Sequence, residues 1–530
     1  MKRRTGDPRK IGVRRARNIL CGLITASAFT GTLGAGTGHA EALTKAVTQE
    51  RTPVVIGSPM TPLLPAPDEA DFYNAPDPLP GKPGDVIWRA PSPTPVIDVF
   101  GYSTNRTELP RYSRAGGTAM TPEVHRILYH STDRRGRSIP AFALLIFDPQ
   151  YAENAPVIVA MHGWLGFGDL CGLMRGDMRG AATSAPSLIH HYVSRGYLLV
   201  LPDGAGMGGR GTPTLLVASD TSRNLLDAAH ATQLLTGTAG RVIFHGHSMG
   251  GAAVLSVPVE AETYAPGIAI AGIVSVAGGG YYGPGTPWWS EEKEYRLLTQ
   301  VVYTRMLEES YGSDLNITEH LTLKGRKRIR QIENLCNTQI GGYTGLDTYD
   351  GLFKESYMNA VRNVSTTENI VSSIPVYFIT PTTDSSVSSL PHQHAYLRRC
   401  ARGEPSFLST VAGDHRTIIG AAHDTEAVRT WIENAVTGKP LGSPCSPIAQ
   451  TLNVGFTYSP HVLLATFTDI VHTGDLRLDA HGSCSVNKNR LLMGFSGRCA
   501  FSVTERIPRK VRGKTQWRTG RAWHFNAELL

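Results

Sequence analysis

The apolar and polar positions in the middle of the chain follow two rhythms. Short apolar runs stop abruptly at glycine-rich turns. Residues 156–161 end at His162-Gly163-Trp164, 197–202 at Asp203-Gly204, and 242–244 lead into Gly246-His247-Ser248-Met249-Gly250. Residues 267–276 and 375–380 are two more such runs. Runs of this length, rich in Val and Ile, predict buried strands. Residues 187–195, 225–235 and 425–436 instead place apolar side chains at helical spacing. Strands alternating with helices predict an α/β fold, a mainly parallel sheet with helices on both faces, whose chemistry lies at the C-terminal strand ends. His162-Gly163, Asp203 and Ser248 all fall there. Upstream, 123–129 and 139–147 predict paired strands around the polar turn Asp133-Arg134-Arg135-Gly136.

The alternation breaks in three places. Residues 43–100 are dense in proline and predict an extended arm, with Phe72, Tyr73 and Trp88 as its anchors. Residues of about 279–373 begin with Tyr281-Tyr282 and Trp288-Trp289 and then turn polar and helical, the pattern of a cap inserted between core strands. From residue 444 onward short apolar strands such as 462–467 predict a small β-rich C-terminal module with a basic tail, leaving 101–443 as the main domain.

Composition sharpens this organisation. The chain has 530 residues, a hydrophobic content of 41% and a formal charge of +8. Residues 1–42 contribute +6 and 505–521 another +6, so everything else carries −4. A mildly acidic body excludes a nucleic-acid groove. Residues 1–42 read as an export signal: a basic region, the apolar stretch 19–29, and small residues up to Ala40-Glu41-Ala42, with cleavage after Ala40 or Ala42. Arg14-Arg15 allows a twin-arginine route, although its flanks fit poorly. No later run predicts a transmembrane helix, so the expected location is extracellular, with envelope association through the tail. Cys21 lies in the leader. Cys171, Cys336, Cys400, Cys445, Cys484 and Cys499 remain, an even set suited to an oxidising compartment and open to 15 pairings. Asn105, Asn316 and Asn363 sit in glycosylation sequons. The basic stretch 506–521, with Trp517 and nearby Trp523, reads either as a dock for anionic envelope polymers or lipid headgroups or as a solvated end.

The candidate chemistry centres on Ser248. A strand, a tight turn and a small-residue helix with serine at the apex make a nucleophile elbow, whose glycines leave room where a Cβ would clash. An ester-cleaving serine needs an imidazole to take its proton and a carboxylate to orient the imidazole. In this fold the chain order is Ser, acid, His. Asp384 after the 375–380 strand and His415 before the last helix satisfy it. Asp347 and Asp350 fall in the cap, Asp414 adjoins the histidine, and His423 reads as a surface residue. His247 reads as a packing residue rather than the base. His392 and His394 lack a third ligand, so no metal is expected, and no cofactor is called for. The transition-state oxyanion needs backbone N–H donors. Met249 supplies one, and Trp164, with Leu165 as runner-up, the other.

These residues also carry a resemblance. Phe72-Tyr73, Leu79-Pro80-Gly81-Lys82-Pro83-Gly84-Asp85, Tyr129-His130-Ser131-Thr132, His162-Gly163-Trp164-Leu165-Gly166 with Cys171, Gly196-Tyr197, Pro202-Asp203-Gly204-Ala205-Gly206 and the serine turn together resemble the secretory lipase (LIP) family of α/β-hydrolases. The resemblance runs from about residue 70 to 442. It implies an α/β-hydrolase fold, triad roles for Ser248, Asp384 and His415, a helical cap over the acyl site, and an acyl-ester or lipid substrate. It also implies the pairs Cys171–Cys336 and Cys400–Cys445, which leaves Cys484 with Cys499. Two positions depart from the family pattern: Asp203-Gly204 stands for Asp-Tyr, and Trp164 for a small polar residue. The expected function is an exported serine ester hydrolase. Acyl transfer by the same triad, or an inert hydrolase domain in a surface-binding protein, are the alternatives.

Overall fold

The computed structural model describes residues 59–92, 112–173, 185–278, 293–337, 351–361, 370–384 and 390–445, a few residues between them, and the backbone of strands between 453 and 529. The leader, Asn105, Asn363, Asp347, Asp350 and the aromatic start of the expected cap lie outside the described residues, as does the side chain of His394.

A nine-stranded sheet organises residues 59–445. Its strands are β1 (Val86–Pro91), β4 (Glu123–Thr132), β5 (Ser138–Phe147), β6 (Val157–Met161), β7 (Leu198–Pro202), β8 (Val242–His247), β9 (Ile270–Val276), β10 (Val376–Pro381) and β11 (Ser406–Val411). The small pair β2 (Tyr112–Ser113) and β3 (Ala119–Met120) stands apart. The sheet order is β1-β4-β5-β7-β6-β8-β9-β10-β11. Pairing is antiparallel from β1 through β5 to β7 and parallel from β7 to β11. The mainly parallel sheet expected from the alternation is therefore present.

Every residue of β6 and β7 is buried, which requires cover on both faces. On one face Ile158, Leu199, Ile243 and Val274 pack with α1 (Ala185–His191), α8 (Ile418–Asp424) and α9 (Glu426–Thr437) through Leu188, Ile419 and Trp431. α2 (Ala218–Thr236) lies against β4, β6 and β7. Apolar periodicity finds only its second half. The first turns are polar and nevertheless buried, because tertiary partners satisfy them. Ser222 Oγ donates to the Val257 carbonyl (2.9 Å), and Asp220 accepts from the Arg134 N–H (2.7 Å). Strand β1 and helix α7 (Leu390–Ala401) also escape the sequence reading; β1 lies inside the proline-rich stretch expected as an extended arm, and its Trp88 packs with Phe72, Tyr73 and Phe142.

Between β9 and β10 the insertion is helical, as expected. It holds α4 (Lys293–Tyr311), α5 (Leu323–Ile332) and the short α6 (Tyr357–Val361). Thr322 caps α5 by accepting from the Gly325 N–H (3.1 Å). Among the described residues the insertion is tied to the core at several points, Arg305 of α4 donating to Thr212 Oγ1 (2.9 Å), and two further ties are more extensive. The β4–β5 turn grips the end of α4: Arg134 bonds Asp314 and stacks 3.9 Å over the Tyr311 ring, while Arg135 donates to the Tyr311 carbonyl. At the other tie, Phe167 N–H donates to Leu335 O (3.0 Å), Asn337 N–H donates to Leu165 O (2.7 Å), and Cys171 and Cys336 form a disulfide.

Cys400 and Cys445 form a second disulfide. Residues 448–530 belong to a separate compact unit. Strands β12 (Asn453–Ser459), β13 (Val462–Thr468), β15 (Cys484–Asn487) and β16 (Arg490–Met493) make one sheet, in the order β12-β13-β16-β15. Strands β14 (Asp475–Gly482), β17 (Gly497–Val511) and β18 (Lys514–Leu529) make another. The side chains of Cys484 and Cys499 lie outside the described residues; in the backbone register Gly482 faces Cys499. Among the described residues no helix is long and apolar enough to cross a membrane.

Candidate active site

Strand β8 ends at His247 and α3 (Met249–Ala253) begins at Met249, leaving Ser248 alone at the turn with φ 57° and ψ −126°. A positive φ on a non-glycine residue stores backbone strain, and such strain collects at functional sites. The turn exists only because its neighbours are glycine. A Cβ on Gly246 would stand 2.1 Å from the Gly250 carbonyl oxygen, and one on Gly250 would stand 2.2 Å from the Met161 carbonyl oxygen. The first contact closes the elbow and the second lets α3 press against the end of β6.

Three distant residues meet at this apex. Ser248 Oγ–H can donate to His415 Nε2 (2.9 Å), and His415 Nδ1–H donates to Asp384 Oδ2 (2.7 Å). The Asp384 side chain is 2% exposed, and its Oδ1 accepts the Ser386 and Val387 N–H groups (2.8 Å each). Those bonds fix the carboxylate's rotation, so one oxygen faces the imidazole. In such a chain, removing the serine proton places a cation on the imidazole beside a buried carboxylate, the arrangement that makes a hydroxyl nucleophilic.

His247 is within the motif, and its ring engages the backbone of His415. Its Nε2–H donates to the His415 carbonyl (2.8 Å), and the two rings lie 4.9 Å apart. Burial, reinforced by the nearby His415, pushes its pKa down to about 3, so it acts as a neutral donor. It supports the His415 loop. Asp414, the rejected acid, points into its own turn and accepts from Thr417 Oγ1 (3.0 Å).

Met249 opens a helix, so its N–H has no acceptor within that helix. On the other side, a Cβ on Gly163 would lie 3.3 Å from Ser248 Cβ, which puts the Gly163–Trp164 peptide beside the nucleophile. Trp164 and Leu165 are both buried in this loop, and the Trp164 indole N–H is buried without an acceptor among the described residues. His162 orients the loop: its Nδ1 faces the Gly163 carbonyl and its Nε2 the Asp203 carbonyl (3.1 Å). Burial lowers its pKa, and a neutral imidazole donates to one of these acceptors at a time. Asp203 itself is buried, accepts from the Leu173 N–H (2.6 Å), and has its pKa lifted to about 7 by desolvation. It holds the start of the Cys171 segment rather than reaching Ser248.

One sequence expectation is corrected here. His423 is buried, not on the surface, and its Nε2 meets His245 Nε2 at 3.3 Å, with the His191 ring tilted against it at 5.0 Å. Helical spacing gave no sign of this, because the partners come from β8 and α1. His392 is likewise buried and bonds Ser275 Oγ (2.7 Å), which in turn donates to the Gly251 carbonyl (2.7 Å) behind the elbow. Among the described residues no group of three or more His, Cys, Asp or Glu side chains is placed to hold a metal ion.

The secretory lipase (LIP) family model matches residues 176–444, just over half of the chain. Among solved structures, Candida antarctica lipase A in its closed state aligns with a TM-score of 0.51 at 16% identity, over 73% of this chain and 91% of that one. A ligand-bound rice cell wall degrading esterase from Xanthomonas oryzae aligns at 0.49 and 15% identity, over 68% and 99%. A putative hydrolase from Legionella pneumophila aligns at 0.47 and 14%, over 57% and 88%. No curated protein matches. The first likeness concerns the fold alone, and with the sheet described above it gives this part of the chain an α/β-hydrolase fold.

Proposed function

The chain belongs to the secretory lipase family, and from that premise we propose that it is an exported lipase cleaving acyl esters through an acyl-serine intermediate on Ser248. Family membership supports the coarser statement, a lipase or esterase. The finer one is carried by a single observation: a strained serine whose Oγ lies 2.9 Å from an imidazole that is itself held 2.7 Å from a buried carboxylate.

Ser248 Oγ attacks the ester carbonyl carbon while its proton passes to His415 Nε2, and Asp384 balances the imidazolium. The carbonyl oxygen becomes an oxyanion and takes hydrogen bonds from the N–H groups of Met249 and Trp164. Collapse breaks the carbon–alkoxy bond, and the departing alcohol takes the proton from His415. Water then repeats the sequence, releasing the acid and restoring Ser248.

The domain plan follows the same reading. A leader of residues 1–42 is removed on export, a proline-rich arm (43–100) lends β1 to the sheet of a hydrolase domain of 101–443 with its cap at about 279–373, and 444–530 form the C-terminal module. Two disulfides suit an extracellular location, and Cys484 with Cys499 make the third.

A panel of p-nitrophenyl esters of increasing chain length, run on the wild type and on Ser248→Ala, tests the reading. The wild type cleaves them and is labelled by a fluorophosphonate. The variant loses activity by at least about 10³-fold and takes no label. An active Ser248→Ala protein would sink the proposal.

A further inference from the structure

The sheet of β14, β17 and β18 is uneven. β14 borders β17 only as far as Arg506, opposite Asp475. β17 and β18 stay paired beyond it: Ile507 with Arg518, Pro508 with Trp517, Arg509 with Gln516, Lys510 with Thr515, Val511 with Lys514. Among the described residues no third strand flanks this stretch. It is a two-stranded ribbon about 17 Å long, at a rise of about 3.4 Å per residue. Charge is concentrated there. No Asp or Glu occurs from Arg506 to Ala527, whereas Arg506, Arg509, Lys510, Arg512, Lys514, Arg518 and Arg521 do.

Directly opposed residues share a face, and successive ones alternate. The register therefore places Arg506, Lys510 and Trp517 on one face and Arg509, Lys514 and Arg518 on the other. A sheet that merely covers a core shows polar residues on one side. Here cations occupy both, so neither face suits a core. Pro508 has no N–H, and among the described residues no strand borders β17 beside it on the side away from β18. Charges that only protected the edge could be of either sign; these are all positive.

We propose that this ribbon, residues 506–511 paired with 514–519, is a docking element for anionic phospholipid surfaces. Guanidinium and ammonium groups bind headgroup phosphates, and near an anionic bilayer each adds about a fivefold gain in partitioning that fades within a Debye length of about 8 Å. Trp517 shares a face with two cations, and tryptophan favours the membrane–water interface. The preference for lipid over another polyanion rests on the proposed lipase activity, since such an enzyme meets its substrate at a lipid surface. Docking itself needs no catalysis.

Cosedimentation of the full chain carrying Ser248→Ala, with phosphatidylcholine vesicles and with vesicles containing phosphatidylglycerol, isolates binding from turnover. The expected result is binding to the anionic vesicles alone, weakened by salt, and reduced at least about a hundredfold by Arg509→Gln/Lys510→Gln/Lys514→Gln/Arg518→Gln. Arg509→Lys/Arg518→Lys, which keeps the charge, should bind as the parent does, so lost binding is not confused with lost folding. Equal binding to neutral vesicles, binding undiminished in the fourfold variant, or retention on heparin with no binding to either vesicle overturns the proposal. Soluble-ester hydrolysis by the fourfold variant with Ser248 intact should be unchanged, and its loss in the wild type would instead refute the lipase reading.

Discussion

Asp384 gives the clearest test at the scale of single residues. One of its oxygens is committed to two backbone N–H groups and the other to His415. In Asp384→Asn the fixed rotation leaves either an amide N–H facing Nδ1 or two backbone donors without an acceptor. The imidazole then favours the wrong tautomer, and kcat on a soluble ester should fall by about 10³–10⁴ with KM little changed. A loss under about tenfold would remove Asp384 from the proposed role. His247→Phe keeps a ring beside His415 but deletes the donor to its carbonyl. We expect kcat to drop by roughly tenfold and stability by about 1 kcal/mol, read from steady-state kinetics and urea unfolding. The serine turn was legible in the sequence because its chemistry demands a local pattern, with glycines at 246 and 250 that tolerate no Cβ. Asp384 and His415 were legible through chain order. His423 was not, because what buries it is His245, far away in sequence.

Among elements, the segment 163–167 joins the nucleophile's surroundings to the helical insertion. Its Leu165 and Phe167 pair with Asn337 and Leu335, and the Cys171–Cys336 disulfide closes the join. Cys336→Ser should therefore act on catalysis as well as on stability. Removing a cross-link that closes a loop of 165 residues costs roughly 2–5 kcal/mol. Loosening the proposed oxyanion loop should lower kcat by about tenfold at temperatures where the variant is still folded. Thermal melts with kinetics on one soluble ester check both, and a variant of lower Tm with unchanged kcat would uncouple the loop from the insertion. The central parallel strands could be read from sequence because they are buried on both faces and therefore uniformly apolar. β1 and the first turns of α2 could not. Their stability comes from partners such as Tyr73 with Phe142, or Ser222 with the Val257 carbonyl, and no local periodicity encodes a partner.

For the whole molecule, burial sets two opposing groups of titrations. The imidazoles of His125, His162, His230, His245, His247, His392 and His423 are all shifted downward, chiefly by desolvation. Each is therefore harder to protonate folded than unfolded, so their contribution is present above about pH 6.5 and is lost as pH falls below it. The carboxyls of Asp203, Asp220, Asp227 and Glu308 are shifted upward, again chiefly by desolvation, Asp203 to about 7 and Asp227 to about 8. Each is therefore harder to ionise folded than unfolded, so their contribution is full below about pH 4 and is lost as pH rises, through about 7 for Asp203 and about 8 for Asp227. Between about pH 4 and 6.5 the seven imidazoles outweigh the four carboxyls, and stability should climb with pH; above it only the carboxyls act, and stability should decline. The maximum is therefore expected near pH 6.5, with the acid limb the steeper. Asp227 accepts hydrogen bonds from Ser131 (2.7 Å) and Tyr264 (3.0 Å) through one oxygen. Asp227→Asn can keep that acceptor while removing the ionisation, so it should flatten the alkaline limb between pH 6.5 and 8 and, by removing an opposing slope, steepen the acid limb between pH 4 and 6.5. Urea midpoints measured from pH 4.5 to 9 on both proteins decide the matter, and a wild-type maximum above pH 8, or an alkaline limb untouched by Asp227→Asn, would show that other groups govern the stability of this fold.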